Sequence, residues 1–170
     1  WAAADVADPA SLTAAVERFG GHTGRVDVLH FNPSVFRAKD PLQLTAPELL
    51  EDVAVGVGAL LTAVQAARPF MSRGARITAT GSAAADRPSP HATSLGVQKA
   101  GLRNLVHGLD RALEPDGIRA VSVTVHGVLQ PHDPDSPFFP DRVADALFDA
   151  AFQEESGWQS ELVYPASPRG

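Results

Sequence analysis

Apolar positions along this chain switch between two spacings, and the switching predicts the architecture. Leu12, Ala15, Val16 and Phe19 recur at helical spacing behind Asp8-Pro9, an N-cap acceptor followed by a proline whose fixed φ suits a first turn. Gly20-Gly21 is the expected stop. Val26 to Phe31 (VDVLHF) is a run of strand length, and its near-continuous hydrophobicity suits a buried parallel strand. Thr45-Ala46-Pro47-Glu48 joins a capping box to an early proline and predicts a helix reaching about Pro69. Leu49/Leu50, Val53, Val57, Leu60/Leu61 and Val64 give that helix one broad apolar face. Gly56 interrupts it at a cost of ~1 kcal/mol relative to alanine.

Ala75 to Thr80 reads as the next strand, followed by a serine-bearing turn and a Pro-rich loop. A second long helix is predicted from about His91 to Leu113, burying Leu102, Leu105/Val106, Leu109 and Leu113. Ile118 to Val125 (IRAVSVTV) is a third strand, and the stretch from His126 to Arg142 is irregular, with prolines at 131, 134, 137 and 140. A helix over Arg142 to Gln153 and a short strand over Glu161 to Tyr164 close the pattern. Strand and helix alternate throughout. The expected fold is therefore α/β, Rossmann-like and doubly wound, a parallel sheet with helices on both faces joined by right-handed crossovers. With no repeat, low-complexity tract or linker, residues 1–170 read as one domain.

Composition narrows the function. Hydrophobic residues at 44% and charged residues at 20% give an ordinary globular balance rather than a disordered one. A net charge of −6 without a basic stripe argues against nucleic acid or an anionic membrane as partner. The absence of cysteine removes disulfides, thiolate metal sites and cysteine nucleophiles, and no metal site is expected. No uninterrupted apolar run reaches the ~20 residues that span a bilayer, and no signal-peptide pattern opens the chain. A cytoplasmic protein is expected. The chain opens on Trp1 and its one methionine is Met71, so a segment preceding Trp1 is expected and the domain reads as incomplete at its N-terminus.

Chemistry concentrates between Gly74 and Asn104, where strand, serine turn, Pro-rich loop and helix start follow one another. In that order the chain resembles the short-chain dehydrogenase/reductase family, from the end of the family's third strand onward. Asp5-Val6 looks like the family's Asp-Val pair at the adenine ring. Phe31-Asn32-Pro33-Ser34 stands where the family has Asn-Asn-Ala-Gly, and Pro69-Phe70-Met71 matches its Pro-x-Met. Ser82 lies thirteen residues before the position of the family's tyrosine, Lys99 fills the lysine of Tyr-x-x-x-Lys, and Gly127 lies at or beside the Pro-Gly turn after strand six.

The resemblance implies NAD or NADP as cofactor, a small carbonyl or alcohol as substrate, and hydride transfer between them. It assigns Ser82 and Lys99 as catalytic, and Asp5, Val6, Asn32, Pro33, Ser34, Lys99 and Gly127 as cofactor-binding. It also implies a homodimer or homotetramer built on the helices over 47–69 and 91–113. The departures carry equal weight. Leu95 stands at the tyrosine position and has no ionisable proton, so the family's acid/base step cannot run from it. Gly56 falls at the family's helix-five asparagine. The Gly-rich pyrophosphate loop would precede Trp1. His91, four residues before Leu95, and His126 are the candidate substitute acids; Tyr164 is a poor one. Two functional classes follow: an NAD(P)-dependent oxidoreductase with a degraded catalytic tetrad, or a catalytically inactive relative that binds a nucleotide or a protein partner.

Overall fold

A computed structural model describes residues 1–166; the last four residues of the expected 1–170 domain lie outside the described residues. Four parallel strands form one sheet in the order β1 (Val28–Phe31), β2 (Arg76–Ser82), β3 (Arg119–Val125), β4 (Glu161–Tyr164). Helix α1 (Pro9–Thr23) precedes β1. A long helical rod over 46–70 and then α4 (Thr93–Leu113) form the crossovers that return the chain to parallel neighbours, and α5 (Pro140–Ala151) connects β3 to β4. The rod and α4 cover one face of the sheet, with α1 stacked on the rod, and α5 covers the other. The α/β, doubly wound expectation is the observed fold.

Local chemistry explains most boundaries. Asp8 caps α1 by accepting from the Ala10 N–H at 3.0 Å. Thr45 and Glu48 form the reciprocal capping box of α2 (Ala46–Val53). Every residue of β3 is buried, as a central strand covered on both faces requires. The core joins Leu60, Val64, Ile77, Leu102, Val106 and Ile118 across the sheet–helix interface.

Several boundaries differ from expectation. Helix α1 runs through Gly20-Gly21 and stops at Gly24, whose φ of 71° is the left-handed cap. Within the helix Gly20 is required by packing, because the Phe70 ring lies where a Cβ would be. Strand β2 extends past Thr80 to Ser82, so the serine closes the strand rather than riding a turn. Helix α4 begins at Thr93, after a non-helical Ala92, which leaves His91 in the preceding loop. Helix α5 begins at Pro140, where a proline suits the first turn.

The rod is not a uniform α-helix. Between α2 and α3 (Ala59–Ala67), residues Ala54–Gly58 form a π-turn in which the Ala59 N–H reaches Ala54 O. Read as one rod, Ala46–Phe70 is long and apolar enough by composition to cross a bilayer, although Glu48, Glu51, Asp52 and Arg68 interrupt it and no uninterrupted apolar run of that length exists. Its apolarity has another use here. Leu60, Ala63, Val64 and Ala67 are core residues packed against the sheet and α1.

Candidate active site

Parallel strands present their carboxyl ends on one side of a sheet, and ligand crevices of α/β folds open there. In this molecule a cavity of about 450 Å³ occupies that position. Asn32 and Ser34 enter it from the loop after β1, Thr80, Gly81 and Ser82 from the end of β2, and Val125 and Gly127 from the end of β3. Lys99 reaches it from α4, while Leu129 and the first turns of α5 close the far wall. Gly81 is required by packing: a Cβ there would lie 3.0 Å from Val123 O and 3.1 Å from Thr124 Cα.

Lys99 is not the solvated helical lysine that an isolated sequence position would suggest. It is 6% exposed, and its Nζ donates to Thr80 O at 2.8 Å. No carboxylate pairs with it among the described residues. Burial without a counter-charge pulls its pKa down to about 8. Beside it, Thr80 Oγ1 is buried with no hydrogen-bond partner. Ser82 Oγ accepts from the Ala84 N–H at 3.2 Å, which fixes its position at the strand end.

Gly56 has a structural reason that periodicity could not reveal. A Cβ at Gly56 would collide with the side chain of Gln98, a fully buried residue one position before Lys99. The Gln98 amide clasps the loop after β1: its Oε1 accepts from the Val35 N–H and its Nε2 donates to Val35 O, both at 3.1 Å. An asparagine therefore cannot be fitted at Gly56 without displacing Gln98. The same loop is held again by Arg37, whose Nε and Nη2 donate to the Asp52 carboxylate at 2.9 and 2.8 Å. Asp52 is 1% exposed, and the Arg37 hydrogen bond holds its carboxyl below the usual carboxylate range. Together the two clasps set the backbone that carries Asn32 and Ser34. The only advance signal for Gln98 was its place beside Lys99 on the predicted buried helix.

Leu95, at the position of the expected proton donor, is apolar, and neither histidine named from the sequence lines the cavity. Leu95 is half-buried one helical turn before Lys99. His91 is exposed, outside the cavity wall, and its N–H donates to Ser89 Oγ. His126 also lies outside the wall, with Nε2 3.8 Å from the Asp86 carboxylate. Tyr164 is engaged elsewhere: its hydroxyl donates to Pro137 O at 2.6 Å, and its ring meets Phe138 edge-on. The histidine that does line the cavity is His30, which the sequence reading passed over as part of an apolar strand. Its Nδ1 pairs with Thr78 Oγ1 at 2.7 Å, and burial lowers its pKa.

Of the remaining expected site residues, Asp5, Val6 and Pro33 are not part of the cavity wall. Asp5 shapes the entry to α1, accepting from the Ala7 N–H at 2.9 Å, and Val6 packs against the core. The Pro-rich segment folds back on itself through Gln130 N–H to Phe138 O at 2.9 Å. The Phe138 ring rests where a Gly127 side chain would stand.

Comparison with known proteins bears on the family and the fold. Residues 1–147 match the family model described as enoyl-(acyl carrier protein) reductase. No curated protein sequence matches the chain. Among solved structures, a short-chain dehydrogenase from Burkholderia cenocepacia J2315 in complex with NADP is 30% identical, with a TM-score of 0.74. The match covers 94% of this chain and 72% of that one. A short-chain dehydrogenase/reductase from Serratia marcescens BCRC 10948 is 28% identical over 94% of this chain and 73% of that chain, with a TM-score of 0.79. An enoyl-[acyl-carrier-protein] reductase (NADH) from Aquifex aeolicus VF5 is 17% identical over 94% and 69% of the two chains, and shares the fold with a TM-score of 0.77. With the matched model spanning most of the chain, this protein belongs to the short-chain dehydrogenase/reductase family.

Proposed function

We propose that this chain supplies the nicotinamide- and substrate-facing half of an NAD(P)-dependent oxidoreductase site for a small carbonyl or alcohol. The observation that carries the reading is the convergence of Asn32, Ser34, Ser82, Lys99 and Gly127 on one cavity at the carboxyl ends of the sheet. The residues present fit the nicotinamide ribose. Lys99 spends one N–H on Thr80 O and keeps its others for a ligand, and the Thr80 hydroxyl beside it has no protein partner. Lys99, Asn32 and Thr80 would hold the ribose, and the bound cofactor supplies a hydride for the carbonyl carbon.

The chain's own residues do the rest. The Ser82 hydroxyl hydrogen-bonds the substrate carbonyl oxygen and fixes its direction. Val125, Leu129, Val143 and Leu147 exclude water and favour an apolar substituent on the substrate. Below about pH 8, in its ammonium form, Lys99 sets positive charge near the oxygen that develops negative charge. Leu95 leaves the proton-donating position empty of an ionisable group, and this favours a second reading as an inactive dinucleotide- or partner-binding relative. Two copies associating through the helices over 46–70 and 93–113 are part of the proposal, supported by Leu50, Leu61 and Val97, which those helices leave exposed. A cytoplasmic location is consistent with this chemistry.

Calorimetric titration with NADPH and NADH tests the reading. Binding that disappears in Lys99→Ala supports it. Binding without carbonyl reduction by the native chain, restored in Leu95→Tyr, identifies the missing acid as the one defect. Failure to bind either dinucleotide overturns the oxidoreductase reading in favour of a partner-binding role. Sedimentation showing a monomer at micromolar concentration rules out the assembly.

A further inference from the structure

We propose that Lys99 is a covalent carbonyl-binding nucleophile, forming an imine with small apolar aldehydes or ketones that enter the cavity at the strand ends. Three observations converge on it. Lys99 Nζ is buried in the wall of that cavity and has one protein partner, the Thr80 carbonyl at 2.8 Å. A carbonyl oxygen accepts from a neutral amine as well as from an ammonium, so this contact leaves the nitrogen lone pair available. The other buried charges of the fold are treated differently: Asp52 is paired with Arg37 and Asp110 with Arg119, each through two hydrogen bonds. The cavity, at about 450 Å³, takes apolar wall from Val125, Leu129, Val143 and Leu147. Finally, Thr80 Oγ1 lies buried and unpartnered at the same wall, with the Ser82 hydroxyl beside it in sequence by two residues.

Desolvation supplies reactivity on top of this geometry. A buried amine without a counter-ion is held partly neutral near pH 8, where a solvated lysine is almost wholly ammonium. The Nζ lone pair attacks the carbonyl carbon, a C–N bond forms, and the π pair of C=O moves onto oxygen, which takes a proton from nitrogen. The carbinolamine then loses that oxygen as water, with the second amine proton, as the C=N bond forms. One amine and one carbonyl compound give one imine and one water, so no oxidant, reductant or metal is consumed. The Ser82 hydroxyl, at the cavity wall, is placed to hydrogen-bond the departing oxygen. This chemistry goes beyond hydride transfer and needs no dinucleotide, so its failure would leave the oxidoreductase reading standing.

The sequence makes the test clean, because Lys39 is the other lysine in the chain and is held in an ion pair with Glu48. The protein is incubated with benzaldehyde, reduced with sodium borohydride, and mapped by peptide mass spectrometry. The expected result is one benzyl group per chain on Lys99, labelled roughly tenfold or more faster than Lys39. That preference should vanish in urea, and a Lys99→Arg variant should lose the label. The urea comparison uses the native sequence and therefore does not depend on any variant folding. Labelling of Lys39 or the amino terminus with Lys99 unmodified overturns the proposal, as does equal labelling of the two lysines in the folded protein.

Discussion

The loop clasp and the cavity wall meet at consecutive residues of one helix, Gln98 and Lys99, yet they treat buried polar atoms in opposite ways. In the clasp every demand is met. Asp52 takes both forks of Arg37, and the Gln98 amide uses donor and acceptor on one Val35 peptide. One residue further along α4, Lys99 keeps a single carbonyl partner and no counter-charge, beside an unpartnered threonine hydroxyl. A fold that pairs its other buried charges has the means to pair this one. Leaving a charge unpaired costs stability, and such costs concentrate where a ligand is expected to complete the set. The difference separates scaffold from site more sharply than burial does, since Gln98 and Lys99 are both buried.

The comparison can be broken most forcefully from the scaffold side. Asp52→Ala removes the buried carboxylate that takes both forks of Arg37, leaving the guanidinium its longer contacts to Glu48 and Glu51, and should give the largest stability loss, read as a lowered urea midpoint. A loss below ~1 kcal/mol would show that the pair is solvated in practice. The site side should move in the other direction. Lys99 has a folded-state pKa lowered to about 8 against an ordinary 10.5. Below pH 8 both states carry the proton and the folded state alone bears the desolvation cost. Between these values the unfolded state binds more protons, so stability rises with pH, and above both the penalty is absent. Lys99→Met should therefore stabilise the protein by about 2–3 kcal/mol at pH 7, with the gain fading by about pH 10.5. Thermal melts across that range would check it, and a destabilised variant at neutral pH would sink the unpaired-charge argument.

Gly56→Ala sharpens the boundary between the two regions. Its methyl group meets Gln98 and should cost about 1–3 kcal/mol through overpacking. In Gly56→Ala/Gln98→Ala the Oε1 and Cγ contacts are gone and the Cβ contact at 2.9 Å remains, so the collision is relieved in part and the double-mutant cycle should show coupling of about 1 kcal/mol; additive losses would mean the two residues are independent. Smallest is Tyr164→Phe. It removes one partly exposed hydrogen bond to Pro137 O and should cost about 1 kcal/mol or less, with dinucleotide titration unchanged. A large effect on binding would bring the tyrosine into the site after all.

The linear pattern carried much of this protein by itself. Strand-length apolar runs, the Asp8 and Thr45 caps and the helical stripes determined the order and type of elements, because each of those signals acts within a few residues. The order of Asn32, Ser82, Lys99 and Gly127 likewise announced the family, since three of them follow or close strands that the sequence already marks and Lys99 lies in the second turn of a marked helix. What only tertiary structure decided were the contacts between elements far apart in sequence. Gly56 looked like a weak point in a helix until Gln98, 42 residues later, was seen in the space above it. His30 looked like one more residue of a buried strand, yet edge position and the Thr78 hydroxyl put its ring at the cavity. Lys99 could be read as a solvated charge or a site residue with equal ease, because its burial depends on what β2 and α5 bring to it. Periodicity reports which face of an element is apolar; whether a polar residue on that element finds a partner is settled by the neighbours, and those are set by the fold.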